Sequence, residues 1–366
     1  MKAPAGKRAG VLVGAAALVF AACGSHPGPA ATRTAGANSS TPGANSSPLP
    51  GSPASATAGR HAGAAVCPLT GLPAPGGTVP RRPALAVKVE NSPAARPQYG
   101  LTTADVVYEE PVEGGITRFI AIYQCRSAAR VEPIRSGRFI DVTVVRQFGA
   151  HPLFAYAGAI PWVVDAVRSS PLVDVGAFRA PASDYWRDPD RYEPHNLVSS
   201  TALLWAAGRA EDAPSVPPNP VFAYGPPDPS ARPAAMVNVA YLESDVDWTY
   251  APAEGVWLRS YVGQGPALAG EGGQLAAANV VVMKAVTYPT PYVEDDTGAH
   301  ENDMILTGSG PVQVFRGGRV VTGTWRRASQ TAVTTLVDRS GHTIALTPGN
   351  TWVELVPTTV AVTVTR

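Results

Sequence analysis

Lysine is nearly missing from this 366-residue chain: of 29 basic residues only Lys2, Lys7, Lys88 and Lys284 are lysine. Arginine carries the positive charge, and the abundance of Ala, Gly and Pro alongside it fits the coding bias of a GC-rich genome. The net charge is +1, so overall electrostatics suggest neither nucleic acid nor an anionic membrane surface as a partner. Catalytic signatures are missing too. Without a GxSxG, SxxK or Walker loop, serine-hydrolase and nucleotide-binding readings have no support. His151, His195 and His300 are isolated, with no HxH, HExxH or CxxC spacing, so zinc is not expected. The acidic run Glu294, Asp295, Asp296, followed by Glu301 and Asp303, lacks the spacing of a calcium loop and reads as a solvated turn. No metal or cofactor is implied.

What the chain does have begins at its N-terminus. Lys2, Lys7 and Arg8 precede the apolar stretch VLVGAAALVF, which is too short to span a bilayer on its own. The stretch runs into FAACG, which resembles a bacterial lipobox with Cys23 as the lipidated residue, although Phe20 stands where leucine is usual. The alternative is ordinary secretory cleavage near Ala22; both place the protein outside the cytoplasm. Residues 24–66 are almost wholly Gly, Ser, Pro, Thr, Ala and Asn with no acid, a composition that cannot bury enough apolar surface to offset ordering. They are expected to form a disordered tether reaching ~35 Å from the membrane. Cys67 and Cys125 remain. In an exported protein such a pair reads as a disulfide, with two free buried thiols as the alternative.

Texture divides the remainder into two. PALAVKVEN, ADVVYEE and ITRFIAIYQC read as strands bounded by Pro, Gly or Asn. SGRFIDVTVVRQFG fits a helix slightly better than a strand, and IPWVVDAVRSS and STALLWAAGRA read as helices, the last capped by Ser200 or Thr201. The expectation is an α+β protein. A mixed α/β module at 67–210 is followed by a proline-rich linker at 211–234 and a mainly antiparallel β module at 235–366.

CPLTGLP, RRPALAVKVENSPAARPQYGLTTADVVYEEPVEGGITRFIAIY, EPIRSGR, YWRD, PHNL, GSGPVQVFRGGRVVTGTW and LTPGNTWVELVP together resemble the YerB-type bacterial lipoproteins, a family defined as a domain of unknown function with N- and C-terminal modules. The resemblance covers roughly 67–205 and 237–357. It implies a two-module cell-envelope lipoprotein and no particular reaction. The cysteine pair is not part of these motifs.

Three stretches carry candidate chemistry. In YEEPVEGGITRF, a turn at Gly114–Gly115 would bring Glu113 and Arg118 together across a hairpin, near Glu109 and Glu110; a structural salt bridge is the plainer alternative. In EPIRSGR, Arg135 and Arg138 flank a turn whose backbone amides would join the guanidinium groups in holding an anion. In DYWRDPDRYEPHNL, Trp186, Arg187, His195 and Asn196 suit a ligand-binding lip, or a loop pinned by its own side chains. The combined expectation is a binding site for an anionic cell-wall glycan, a lipid-linked precursor or a wall-synthesis protein. The competing class is an enzyme on wall saccharides or phosphodiesters, with Glu113 or His195 as acid–base.

Overall fold

The computed structural model describes residues 65–294 and 297–366, so the N-terminal segment with Cys23 and the tether up to residue 64 lie outside the described residues. Cys67 and Cys125 are joined by a disulfide, with Cα atoms 5.9 Å apart. Arg82 secures the same corner. Its guanidinium lies 3.5 Å from the centre of the Trp205 ring and donates to the carbonyls of Gln124 and Cys125.

Alternating β-branched and aliphatic residues produce strands β1 (Leu85–Glu90), β2 (Val106–Pro111) and β3 (Thr117–Tyr123). β2 and β3 form a hairpin whose turn needs φ of +73° at Gly114 and +77° at Gly115, a region that favours glycine. At Gly115 a Cβ would also meet Leu242 at 2.8 Å. Then follow α1 (Phe139–Val145), β4 (Leu153–Ala155), α2 (Pro161–Arg168), β5 (Val173–Asp174) and α3 (Thr201–Ala210). Proline opens α2, where its missing N–H costs nothing. The Ser200 hydroxyl caps α3 by accepting the Leu203 N–H at 3.3 Å. Gly208 sits within α3 because a Cβ there would lie 2.5 Å from the Leu153 side chain, so it serves helix–sheet contact.

Beyond the proline-rich segment come β6 (Met236–Val239), β7 (Val246–Ala251), β8 (Val256–Tyr261), β9 (Asn279–Ala285), β10 (Thr287–Val293), β11 (His300–Met304), β12 (Gly308–Arg316), β13 (Arg319–Arg327), β14 (Thr335–Asp338), β15 (Thr351–Pro357) and β16 (Val362–Thr365). The molecule is α+β, with helices only in the first half of the described chain. The two halves do not keep separate sheets. The main sheet runs β14-β13-β12-β9-β15-β2-β3-β1-β4-β5, and the halves join where β15 pairs parallel with β2, Thr351–Glu354 against Val106–Glu109. The proline-rich segment is laid onto this body: Arg232–Pro233 pairs with β13, Tyr224 donates to the Leu69 carbonyl at 2.6 Å, and Val221 is buried.

A second sheet, containing β8-β7-β6-β16, packs its Trp248 and Trp257 against one face of the main sheet, among Leu85, Val87 and Phe119. On the other face, α1 and α2 close over Ile120, Ile122 and Phe154. β10 and β11 pair only with each other, as an arm inserted between β9 and β12.

At the seam between the halves, Arg259 is buried. It lies 2.9 Å from Glu109 and 3.7 Å from Glu354, with the rings of Phe119, Trp248, Tyr261 and Trp352 around it. Burial pushes Glu354 well above the carboxylate range, and the charge of Glu109 pushes the same way. Raising Glu354 lessens the negative charge set against the single guanidinium, in keeping with the cost of burying net charge.

The disulfide spans 58 residues. Replacing Cys67 and Cys125 by serine should cost about 4 kcal/mol in the chain-entropy account, read from urea unfolding with and without reductant. An unchanged midpoint would show that the pair is not bonded in the folded protein.

Candidate functional site

Strand alternation sorts the charged residues at the ends of β1, β2 and β3. Glu109 faces Arg259, while Glu110, one residue on, faces the opposite side with Lys88, Glu90 and Arg118. On that side Glu90 stands opposite Arg118 and Arg118 opposite Glu110, a row across three neighbouring strands. The loop that brings Arg135 and Arg138 is hydrogen-bonded to β1, through Glu90 N–H to Pro133 and Arg135 N–H to Lys88.

Two ionic groups flank Arg118. In the first, Lys88 contacts Glu110 and, at 2.8 Å, Asp141 of α1; all three are buried. Burial and the nearby Asp141 raise Glu110, with Lys88 acting against them, so here too the negative charge set against the cation is lessened. In the second, Arg138 donates to Glu113 at 2.7 and 2.9 Å and lies 2.7 Å from Glu294 near the tip of the arm. The arm adds three more contacts. Glu301 accepts the Phe139 N–H at 2.8 Å, Asn302 N–H donates to Glu113 at 3.2 Å, and Tyr292 stacks between Phe139 and Trp162. Burial alone would raise Glu113, but the charge and hydrogen bonds of Arg138 outweigh it and hold the carboxyl below its ordinary range. Glu301 goes the other way, pushed up to about 8 chiefly by burial.

Arg118 itself is 8% exposed. Its side chain donates to the Ser136 carbonyl at 3.1 Å, its Nε has no partner, and no carboxylate is in ion-pair contact with it among the described residues. Burial, followed by the charges of Arg138 and Arg135, pulls it down to about 10. On the outer side, Arg135 lies 3.6 Å from Glu90 and remains 27% exposed at its side chain. His195 places Nδ1 2.9 Å from both Glu90 oxygens. A carboxylate partner makes Nδ1 the donor, which leaves Nε2 of the neutral ring as an acceptor.

Glu113, Arg118, Arg135, Arg138 and His195, expected together from sequence, are thus linked through Glu90 and the 135–138 loop. Two details differ from expectation. Glu113 pairs with Arg138 rather than across the hairpin with Arg118, because the Gly-Gly turn carries it past the strand end toward α1. The loop amides of Arg135, Gly137 and Arg138 are already bonded to Lys88, Gly158 and Asp141, so an anion there would rely mainly on side chains, with Ser136 N–H the one loop amide not bonded in this way. Trp186 and Arg187 stand on a short ribbon paired with Leu197–Val198, where Arg187 reaches Asn196 at 2.9 Å and Glu193 at 3.5 Å. Asn196 spends its amide on the carbonyls of Asp188 and Arg191, holding the loop that presents His195.

Sequence reasoning missed Lys88, Glu90 and Asp141, and treated Glu294 and Glu301 only as a solvated acidic turn. Lys88 did leave a signal, as a rare lysine in the middle of an apolar strand. Glu301 should give stability that is fully present below its unfolded pKa and lost as pH rises toward 8. Glu301→Gln should therefore flatten the decline in stability between about pH 4.5 and 8, by up to about 1.4 kcal/mol per pH unit. Denaturant midpoints across that range check this; an unaltered slope would place the titration elsewhere.

Comparison with known proteins gives two family matches, the N-terminal domain of a protein of unknown function (DUF3048) over residues 69–214 and its C-terminal domain over 237–353. YerB of Bacillus subtilis (strain 168), provisionally named a lipoprotein, is 28% identical over 295 residues, spanning 79% of this chain and 86% of YerB. The crystal structure of YerB superposes with a TM-score of 0.71 at 27% identity, covering 82% of this chain and 99% of that one.

Proposed function

The chain belongs to the DUF3048 family of proteins of unknown function, and from that premise we propose that it binds an anionic ligand of the cell envelope through Arg118 and Arg135. Arg118 carries the reading. Burying a guanidinium is costly unless a counter-charge meets it, and the other two buried cations of this region, Lys88 and Arg138, have theirs. The counter-charge for Arg118 comes from a ligand that enters past the part-exposed Arg135. Phosphate, sulfate and carboxylate oxygens all suit the planar guanidinium fork.

The compartment narrows the ligand. The basic start, the short apolar run and Cys23, together with the lipoprotein name of YerB, support an extracytoplasmic lipoprotein held to the outer face of the membrane. Among the described residues no helix is long and apolar enough to cross a membrane. Anionic wall glycans, lipid-linked precursors and acidic segments of wall-synthesis proteins are the ligands such a site would meet there.

Arg118→Met should abolish binding of phosphate and sulfate, and Arg135→Met should weaken it at least tenfold, in calorimetric titrations at low salt. Without ligand, Arg118→Met should be no less stable than the parent, because it removes a buried charge that has no ion-pair partner and feels Glu113 and Glu90 only at a distance. Failure of the parent protein to bind any of the three oxyanion types would end this reading.

A second reading, turnover of wall saccharides or phosphodiesters, is favoured by one observation: Glu90 orients His195 so that Nε2 can accept a proton from water. Glu113 does not suit the acid, since Arg138 holds it ionised. Incubation with bis(p-nitrophenyl) phosphate and with fractionated wall polymers tests it. Hydrolysis that His195→Gln lowers at least a hundredfold, with anion binding retained, would establish an enzyme. Binding without turnover would leave a binding protein.

A further inference from the structure

Phe178 is 87% exposed, the highest fraction among the large hydrophobic side chains in the described part of the chain. It does not sit there as a loop-tip accident. Its ring lies against Gly158, where a Cβ would come within 2.7 Å of it, so glycine is what allows the ring to rest on the backbone. Gly158 also takes φ +76°, which favours glycine independently. The carbonyl of Gly158 accepts the N–H of Gly137 at 2.9 Å, and the neighbouring carbonyl of Ser136 is the one that Arg118 contacts. The exposed ring and the uncompensated guanidinium therefore flank the same loop, on the face of the main sheet covered by α2.

Below the ring lies a depression of about 110 Å³ lined by Tyr156, Val164, Arg168, Asp174 and Phe178 among others. It combines a flat apolar surface with polar groups at its margin. Asp174 is fixed by the Tyr156 hydroxyl at 3.1 Å and the Gly176 N–H at 3.0 Å, and its oxygens keep further acceptor capacity. Arg168 projects from the last turn of α2 without an ion pair among the described residues. A ring that stacks on one face while fixed polar groups engage its edge is the arrangement that holds a pyranose, whose faces are apolar C–H and whose rim is hydroxyl.

We infer that this depression is a saccharide subsite, and that the ligand of the arginine cluster is an anionic oligosaccharide whose neutral sugar rests on Phe178. The inference rests on the anion-binding reading of Arg118 and names its ligand class. From the Ser136 carbonyl that meets the Arg118 guanidinium, across segment 156–158 to segment 177–178, the hydrogen-bonded backbone makes two strand spacings, on the order of 10 Å. That span exceeds one sugar phosphate and suits at least two sugar residues with the charge at one end. Charge complementarity selects the occupant: an apolar peptide would satisfy the ring and leave Arg118 unmet.

The test uses the full chain and four probes: trehalose 6-phosphate, maltose 1-phosphate, their neutral parent disaccharides, and inorganic phosphate. A disaccharide phosphate should bind at least tenfold more tightly than inorganic phosphate. Phe178→Ala, which changes a side chain almost wholly in water, should erase that advantage while leaving the phosphate affinity unchanged, and Phe178→Trp should restore it. Equal affinity for sugar phosphate and inorganic phosphate, insensitive to Phe178, would overturn the subsite and leave the anion site standing. If no probe binds, the anion reading falls and the subsite with it. A concentration-dependent dimer in the parent, lost in Phe178→Ala, would assign the ring to self-association and overturn the proposal.

Discussion

A single buried cation, Arg259, decides how the two halves of this protein meet. It comes from a strand of the second sheet, yet its charge is answered by Glu109 and Glu354, neighbours across the parallel junction of β2 and β15. Four aromatic rings exclude water from the group. Such a cluster is stable only when complete, because removing any member strands a charge in a low-dielectric interior. The N-terminal strands are therefore fixed against the C-terminal ones in one register, and everything on the opposite face of β1, β2 and β3 inherits that rigidity.

The same rule governs that opposite face, with one exception. Lys88 is answered by Glu110 and Asp141, and Arg138 by Glu113 and Glu294. In the first group burial raises Glu110, and in the second the charge of Arg138 holds Glu113 low. Arg118, between them, has only a carbonyl. That difference between Arg118 and its two cationic neighbours is the observation on which the proposed anion site rests. His195, held by Glu90 in the same cluster, is the feature that extends the proposed reading toward catalysis.

Parts of this arrangement could be read in advance. The Gly114–Gly115 turn, the Ser200 cap of α3 and the strand character of β1 to β3 follow from local chemistry: left-handed backbone, orphan N–H groups and apolar alternation. The grouping of Glu113, Arg118, Arg135, Arg138 and His195 was legible as a set because each lies in a polar stretch beside a strand end. Their pairings were not. Glu109 and Glu110 look alike in sequence, and only sheet alternation sends one to Arg259 and the other to Lys88. Glu301 resembled a residue of a solvated turn, and it is buried because the arm carries it onto Phe139 from 162 residues away.

The sequence alone determined the α+β character, the family and the segment around which a site could form, since these depend on composition and short-range pattern. Tertiary structure decided which buried charges meet a counter-charge and which meet only carbonyls. Counter-ions for Arg138, Lys88 and Arg259 come from 22 to 156 residues away, and pairing over such distances is set by sheet register and burial, which no local pattern encodes. That Arg118 meets a carbonyl while its neighbours Lys88 and Arg138 meet carboxylates is visible only once those partners have been placed.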